Sequence, residues 1–267
     1  MELRDKVVVV TGGASGIGRA MALRFAAEGA RGVVVADLDE AGASAVAVEI
    51  GAAAQGVRCD VTNTDEVDAL VTTAEQQFGP VDLFCANAGI GTGTGLDSPD
   101  ELWRSVWSVN VHSHVLAAQR LVPGWLERGE GYFLSTASAA GLLSQIGDAP
   151  YSVTKHAAVA FAEWLSLTFG DRGLRVSCLC PMGVNTPLLQ GGLDQSGGEG
   201  LGARVVAAAG RVLEPEDVAG DVVAALREER FLILPHPEVG EFLRRKGADP
   251  ERWLAGMRRL QAQVEGG

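Results

Sequence analysis

Aromatic residues and long apolar runs are scarce in this 267-residue sequence. Only 6% of the residues are aromatic, whereas glycine occurs 35 times, and this balance favours α/β layers in which helices pack closely on strands. No apolar run reaches the ~18–20 residues that a membrane-spanning helix needs. The first residues, MELRDKVVVVTGG, lack the long apolar stretch of a signal peptide and lead directly into a strand-like segment. We therefore expect a cytoplasmic protein with no membrane partner.

Positive charge is also in deficit. The chain has 22 Lys and Arg residues against 34 Asp and Glu residues, which gives a formal net charge of −12. A chain of that charge repels nucleic acid and anionic lipid. Nucleic acid is therefore not an expected partner.

Cysteine and histidine are few and show no metal-binding pattern. The four cysteines fall in or at the ends of apolar, strand-like segments: Cys59, Cys85, Cys178 and Cys180. No second Cys or His cluster accompanies the last pair. His112 and His114 lie two apart in a helical pattern, where side chains do not face each other. We interpret the cysteines as buried reduced thiols and the histidines as surface or core residues of a helix, and we expect no metal site.

What the sequence does contain is a regular alternation of apolar strands and helices. Strands are predicted at 6–12, 32–37, 56–63, 81–89, 131–138, 174–180 and 230–235. Helices are predicted at 17–30, 39–50, 64–78, 98–122, 150–170 and 214–226. Continuous apolar strands that alternate with helices indicate a parallel sheet covered on both faces. No Pro, Gly or Ser-rich linker divides the chain, so we predict a single doubly wound α/β domain over 1–267, with about seven strands.

Two regions lie outside this alternation. The Gly-rich stretch 190–202 is predicted to be a mobile loop. Beyond a core at about 5–235, the residues from about 236 to 263 are predicted to form one or two amphipathic helices as a C-terminal tail. The sequence does not choose among a tail that covers the site, joins a subunit interface or packs on its own domain.

The first strand is followed by a glycine-rich turn and a helix, in the stretch VVVVTGGASGIGRA. Gly12, Gly16 and Gly18 are spaced G-x-x-x-G-x-G. Turn residues without a Cβ atom let the backbone approach a pyrophosphate, which then meets the N–H groups of the following helix. This position favours a dinucleotide site, although such turns also occur as plain connections.

The second strand ends in Asp37, whose carboxylate suits the adenosine ribose. It can accept hydrogen bonds from ribose hydroxyls and would repel a 2′-phosphate. No basic residue lies in the glycine turn or at the next positions, Leu38, Asp39 and Glu40. The charges therefore favour NAD over NADP, unless Asp37 merely caps the helix that follows.

With these pieces in hand, the chain resembles the short-chain dehydrogenase/reductase family over about residues 5–235, which implies a Rossmann-like fold. The resemblance rests on several motifs in the right order: Thr11-Gly12-x-x-x-Gly16-Ile17-Gly18, Asp60-Val61, Asn87-Ala88-Gly89, Asn110 in SVNV, Ser138 in STASAAG, and Tyr151-x-x-x-Lys155. Each motif is weak alone, but together, each at the expected end of its element, they are a specific match.

The resemblance implies a catalytic set of Asn110, Ser138, Tyr151 and Lys155. Tyr151 and Lys155 lie one turn apart on a helix face. A free tyrosine has a pKa near ~10, and the ammonium of Lys155 is expected to lower it so that Tyr151 acts as general acid and base. Ser138 is expected to bond the substrate oxygen, whereas Ser135, three residues earlier, should face into the sheet. Asn110 is expected to interrupt its helix and hold a water next to the lysine.

The same resemblance implies a set of cofactor contacts around these residues. They are Gly12, Ser15, Gly16, Ile17, Gly18, Asp37, Leu38, Asp60, Val61, Asn87, Ala88, Gly89, Tyr151, Lys155, Pro181, Gly183, Val184 and Thr186. Asp60 and Val61 are expected beside the adenine, and Val184 and Thr186 beside the nicotinamide carboxamide. The family usually has a glycine where this chain has Met182, which is expected to shape the substrate pocket.

The predicted substrate contacts are mostly apolar. They are Ile90, Ser138, Leu142, Leu143, Ile146, Tyr151, Met182 and Leu188, with Leu189 and the segment 190–204 beyond them. No Arg or Lys is evident among these candidates, which favours a small neutral lipophilic alcohol or ketone over an anion.

The sequence is compatible with three functional hypotheses. The leading hypothesis is an NAD-dependent oxidoreductase that interconverts a secondary alcohol and its ketone. The alternatives are an NADPH-dependent carbonyl reductase and a catalytically idle dinucleotide-binding regulator, and the presence of Tyr151 and Lys155 disfavours the latter. A homodimer or homotetramer is expected from the resemblance.

Overall fold

A seven-stranded sheet forms the centre of the molecule. The computed structural model describes residues 1–195 and 200–265. The strands are β1 (Val7–Thr11), β2 (Gly32–Asp37), β3 (Ala54–Arg58), β4 (Leu83–Ala86), β5 (Gly131–Thr136), β6 (Leu174–Leu179) and β7 (Leu232–Ile233). They are rich in Val, Leu and Phe, and β1, β4 and β5 are buried throughout, as strands covered on both faces must be.

All strand pairs are parallel, in the order β3-β2-β1-β4-β5-β6-β7. The order reverses at β1, where Val9 pairs with Val34 on one side and with Phe84 on the other. In doubly wound sheets, ligands bind in the crevice outside the carboxyl ends of the strands at this reversal. The predicted fold class is confirmed, and the topology locates the expected site.

The helices lie on both faces of the sheet. They are α1 (Gly16–Ala27), α2 (Glu40–Ile50), α3 (Thr64–Phe78), α4 (Asp100–Trp107), α5 (Ser113–Arg128), α6 (Ala140–Leu143), α7 (Ala149–Phe169), α8 (Pro187–Leu193), α9 (Leu201–Ala209), α10 (Pro215–Arg227), α11 (Glu238–Ala248) and α12 (Pro250–Glu265). Buried side chains of α3, α5 and α7 form one core against the sheet. Those of α1, α2 and α10 form the other. The two cores fix the strand ends from which the site is built.

The helix predicted at 98–122 differs from the observed structure in two ways. Residues Ser108–His112 form a π-helical turn between α4 and α5. The helix also continues through Pro123 to Arg128, although a proline removes one helical hydrogen bond. Tertiary packing outweighs that cost, because Trp125 is buried and its indole N–H donates to the Val81 carbonyl at 2.7 Å.

The Gly-rich stretch 190–202 is not a loop throughout, which corrects the sequence prediction. Its first residues belong to α8 and its last two to α9, whose apolar residues Leu201 and Val205 are buried. Residues 196–199 of the predicted loop lie outside the described residues. Beyond β7 the tail forms two helices, α11 and α12.

The remaining compositional expectations concern thiols and membranes. All four cysteines are buried, with the sulfurs of Cys178 and Cys180 3.8 Å apart. His112 is exposed, and the ring of His114 is buried beside Ser135. Across residues 1–195 and 200–265, no helix is both long and apolar enough to cross a membrane.

Candidate active site

A cleft of about 690 Å³ opens at the carboxyl ends of the strands. It brings together nearly all of the predicted cofactor residues: Gly12, Ser15, Gly16, Ile17, Gly18, Asp37, Leu38, Asp60, Val61, Asn87, Ala88, Gly89, Tyr151, Lys155, Pro181, Val184 and Thr186. Gly183 does not line the cleft. Residues from six separate segments of the chain therefore meet at one edge of the sheet.

The glycine turn after β1 packs closely on the chain around it and leaves no room for side chains. Gly12 has φ +63°, and a Cβ atom on it would lie 2.9 Å from the Cα atom of Ala88. A Cβ atom on Gly18 would lie 2.0 Å from the carbonyl oxygen of Gly12. At the start of α1, the Ser15 side chain makes no capping hydrogen bond to the first N–H groups of the helix. This tight turn and the helix N-terminus, together called the dinucleotide cradle, fit a pyrophosphate group.

Asp37 lies beside this turn and is held by backbone donors. Its Oδ2 atom accepts a hydrogen bond from Ala14 N at 3.0 Å, and its Oδ1 atom accepts one from Asp39 N at 3.1 Å. The cap of α2 is Asp39, whose side chain accepts from Gly42 N. Asp37 is therefore not needed as the helix cap, and its carboxylate lines the cleft.

Tyr151, Lys155 and Ser138 converge at the other end of the cleft. The Ser138 hydroxyl accepts a hydrogen bond from Ala140 N at 3.1 Å and donates one to the Pro181 carbonyl at 3.4 Å. The Lys155 Nζ atom lies 5.5 Å from the centre of the Tyr151 ring and donates to the Thr136 carbonyl at 2.9 Å. This part of the cleft therefore brings a hydroxyl, a phenol and an amine together.

Burial has the largest effect on the pKa values of Tyr151 and Lys155. Burial raises the pKa of Tyr151 to about 12; the neighbouring Ser138 hydroxyl acts in the opposite direction, and the charge of Asp148 raises the value further. Burial also lowers the pKa of Lys155 to about 8. The expectation that the ammonium of Lys155 lowers the pKa of Tyr151 stays a prediction.

Asn110 acts behind the cleft rather than in its wall. It lies in the π-helical turn, so the expected interruption of the helix is present. Its Oδ1 atom accepts from Ile90 N at 2.9 Å, and its Nδ2 atom donates to Ile90 O at 2.9 Å and to Thr154 Oγ1 at 3.1 Å. Asn110 therefore ties the segment after β4 to the helix that carries Tyr151. Its expected hold on a water molecule stays a prediction.

Asp148 is a residue of the site that the sequence analysis missed. Its buried carboxylate accepts four hydrogen bonds: from Thr92 N and Gly93 N at 2.7 Å each, from Thr92 Oγ1 at 2.8 Å, and from Tyr151 N at 3.0 Å. It thereby caps α7 and clasps the loop after β4 to the start of that helix. The signal was present, because an Asp directly before Ala-Pro is a common helix start.

The predicted substrate residues divide into two groups. Ile90, Ser138, Tyr151, Met182, Leu188 and Leu189 line the cleft. Leu142, Leu143 and Ile146 do not line it, and their role as substrate contacts stays a prediction. Leu142 packs against the hydrophobic core, whereas Leu143 and Ile146 line a second cavity. The chain turns away from the cleft after α6 through Ser144, which has φ 73°.

Polar and α9 residues complete the substrate end of the cleft. Thr92, Gln145, Gln195, Ala203 and Val206 line it; Gln195 and Ala203 belong to the predicted segment 190–204, whereas the other three were not singled out from the sequence. Two of them come from α9, which the Gly-rich composition had concealed. Among the described residues that line the cleft, Lys155 is the one Lys or Arg.

These features define a class: a doubly wound α/β protein whose cleft joins a dinucleotide cradle to a group of Ser138, Tyr151 and Lys155. The family model for short chain dehydrogenases matches residues 6–196, and the chain belongs to that family. Its members are oxidoreductases that bind a nicotinamide dinucleotide and act on hydroxyl or ketone groups, and this chain is an enzyme of that kind.

Named relatives agree with this assignment. The chain is 40% identical over 245 residues to 1-deoxy-11-beta-hydroxypentalenate dehydrogenase of Streptomyces exfoliatus, covering 89% of this chain and 86% of that one. It is 38% identical over 226 residues to momilactone A synthase of Oryza sativa subsp. japonica, covering 82% of each. Among solved structures, a short chain dehydrogenase/reductase from Burkholderia phymatum in complex with NAD is similar, with a TM-score of 0.86 and 32% identity over 94% of this chain and 96% of that one.

Proposed function

We propose that this enzyme is an NAD-dependent dehydrogenase that interconverts a secondary alcohol and its ketone, with Tyr151 as general acid and base. The observation that carries the proposal is that Tyr151, Ser138 and Lys155 line the same cleft as the glycine turn and Asp37. A bound nicotinamide supplies the carbon that accepts or returns a hydride.

Each of the three side chains has a distinct part in such a reaction. Ser138 holds the substrate oxygen and stabilises charge that develops on it. Tyr151 removes the hydroxyl proton during oxidation and returns it during reduction. Lys155 places a positive charge beside the phenol and, as its ammonium, favours the phenolate that oxidation requires. Oxidation should therefore quicken as the pH rises, and reduction as it falls.

The preference for NAD rests on Asp37. Its carboxylate lies beside the glycine turn, where it can bond ribose hydroxyls and would repel a 2′-phosphate. No Lys or Arg lines the described part of the cleft near it. The NAD complex of the Burkholderia phymatum relative supports the same choice.

The test compares initial rates with NAD⁺ and NADP⁺ in wild type, Asp37→Ser and Asp39→Asn. We expect the initial rate of wild type to be at least about tenfold higher with NAD⁺ than with NADP⁺. The reason is that Asp37 bonds the ribose hydroxyls of NAD⁺ and repels the 2′-phosphate of NADP⁺. Asp37→Ser should lose most of that preference. Asp39→Asn should keep it, because asparagine can still cap α2. A wild-type preference for NADP⁺ would instead support an NADPH-dependent carbonyl reductase.

The proposed substrate is neutral and lipophilic. The substrate end of the cleft presents Ile90, Met182, Leu188 and Val206, and no cation besides Lys155 lines the described part. The Streptomyces relative acts, by its name, on a hydroxyl group of a carboxylate, so the proposed substrate of this enzyme differs from it in charge. Screening neutral secondary alcohols for NADH formation tests the assignment. If only carboxylate-bearing alcohols react, the neutral class is wrong, and if none reacts, an idle dinucleotide-binding regulator becomes the better explanation.

A further inference from the structure

A second cavity of about 570 Å³ lies beside the cleft, beneath the C-terminal helix. We call it the tail cavity. It is bounded by the loop 93–97, by the segment 143–149, and by Trp253, Leu254, Met257 and Gln261 of α12. None of the reaction steps described above uses it.

The tail cavity adjoins the cleft directly. Gly93, Gln145 and Asp148 line both spaces, so the two are separated by a single layer of residues. Asp148 also bonds the backbone N–H of Tyr151 at 3.0 Å. A molecule whose reacting carbon lies at Tyr151 therefore has a short path to the tail cavity.

The tail that roofs the cavity is held by specific contacts. Lys246 of α11 donates from Nζ to the Leu142 carbonyl at 2.7 Å. The rings of Phe242 and Trp253 lie 6.0 Å apart, which joins α11 to α12, and α12 also packs against α9. The roof is thus connected both to the chain next to Ser138 and to the helix that closes the cleft.

The surface of the cavity is mainly apolar and lacks positive charge. Leu143, Ile146, Trp253 and Met257 are its large apolar side chains that are only half-buried in the protein itself. The charged residues among its described lining are Asp97 and Asp148, both acidic. Covering the apolar surface with a ligand is favourable, whereas a carboxylate or phosphate would meet like charge.

We propose that the tail cavity is a distal subsite that takes the neutral, apolar end of an elongated alcohol or ketone while its carbinol or carbonyl carbon lies at Tyr151. This inference rests on the proposed function and adds to it the part of the molecule that recognises substrate length. The tail is then a specificity element of the enzyme.

The test uses purified full-length enzyme, NAD⁺ and a series of 2-alkanols from 2-butanol to 2-dodecanol. Ile146→Trp fills the tail cavity from one wall without changing a residue that lines the cleft. Met257→Trp fills it from α12 and serves if the first variant does not fold. Arg258→Trp adds the same side chain at an exposed position of α12 outside the cavity, as the matched control.

In wild type and Arg258→Trp, kcat/KM should rise about fourfold for each methylene group that enters the cavity, from ~0.8 kcal/mol per buried methylene. In Ile146→Trp and Met257→Trp, the rise should stop at the chain length that fills the cleft. Activity on 2-butanol should stay within about twofold in all four proteins. The same rise with chain length in the filled variants would overturn the subsite while leaving the proposed function intact.

A binding measurement separates this inference from catalysis. We expect 2-dodecanone, with saturating NAD⁺, to raise the Tm of wild type and Arg258→Trp but not of the two filled variants. A Tm shift that persists in the filled variants would contradict the subsite. If no alcohol is oxidised, the proposed function fails, and the Tm comparison alone then decides whether the cavity binds an apolar chain.

Discussion

The two ends of the cleft are built in different ways. The cofactor end is made by residues that directly follow the strands, and hydrogen bonds between neighbouring strands hold it. Asn87 Nδ2 donates to Thr11 O at 3.0 Å, and Thr11 Oγ1 donates to Cys85 O at 3.1 Å. The substrate end is made by short helices and loops from distant parts of the chain. There, Gln145 Nε2 donates to Gly202 O at 2.9 Å.

This difference separates the residues that carry the chemistry from the residues that select the substrate. The sheet edge fixes the cradle and the reacting group, so changes there should affect every substrate alike. The helices α8 and α9 line the cleft beyond Thr186, and α12 lines the tail cavity beside it, so changes there should affect substrates unequally. Each variant below tests one side of that division.

The largest effect is expected where the two ends meet, at Tyr151. Tyr151→Phe keeps the ring but removes the phenol hydroxyl that is proposed as the acid and base. Without an acid and base, kcat should fall about 10²- to 10⁴-fold for every substrate, and the rise of oxidation with pH should disappear. NAD⁺ binding, followed by fluorescence titration, should change little.

The chain's other tyrosine provides the control. Tyr132 is buried, and its hydroxyl bonds Ser177 Oγ at 2.8 Å within the core. Tyr132→Phe should cost about 1–2 kcal/mol in the free energy of unfolding, measured by denaturant titration, and leave kcat unchanged. Equal losses of kcat in both variants would mean that Tyr151 acts through stability rather than chemistry.

The same division explains how much was predictable from the sequence. The strands, the glycine turn and the Tyr151–Lys155 pair follow from local patterns that hydrophobic periodicity and residue spacing reveal. Asp148 and α9 were missed, and Leu143 and Ile146 line the tail cavity rather than the cleft. Their positions depend on a turn at Ser144 and on contacts such as that of Lys246 with Leu142, which no spacing in the sequence shows.

One further expectation stays a prediction: the homodimer or homotetramer. An exposed apolar stripe on α7 is where such contacts would be sought, since Val153, Trp164 and Leu167 are 51%, 52% and 86% exposed. These residues lie on one face of the helix, away from the core that the opposite face forms.

A change confined to the cofactor end tests whether substrates are affected equally. In Gly18→Ala the new methyl group would meet the Gly12 carbonyl oxygen, and overpacking of this kind costs about 1–3 kcal/mol. We expect NAD⁺ affinity to fall about ten- to a hundredfold, with kcat/KM at fixed NAD⁺ reduced by the same factor for short and long alcohols. Unequal losses would show that the two ends are coupled.

Gly124→Ala is the matched control for that methyl group. Gly124 lies on the exposed face of α5, and a Cβ atom there meets nothing within 4 Å. Alanine should therefore raise the free energy of unfolding by up to about 1 kcal/mol through helix propensity, with NAD⁺ affinity unchanged. A loss of affinity in this variant would mean that added methyl groups perturb the enzyme wherever they are placed.

The smallest effect is expected at Met182, which belongs to the substrate end. Its side chain lines the cleft, while its backbone N–H is held by His236 Nδ1 at 3.1 Å and so should not move when the side chain is shortened. Met182→Ala removes apolar contact area and opens space next to Ser138 and Tyr151. We expect kcat/KM for small alcohols to fall about three- to tenfold, and that for bulky alcohols to fall less or to rise. NAD⁺ affinity should stay constant, because the glycine turn and Asp37 are untouched. If Met182→Ala instead lowers NAD⁺ affinity and all substrates equally, this residue belongs to the cofactor end, and the boundary between the two regions lies farther along the chain, toward α8.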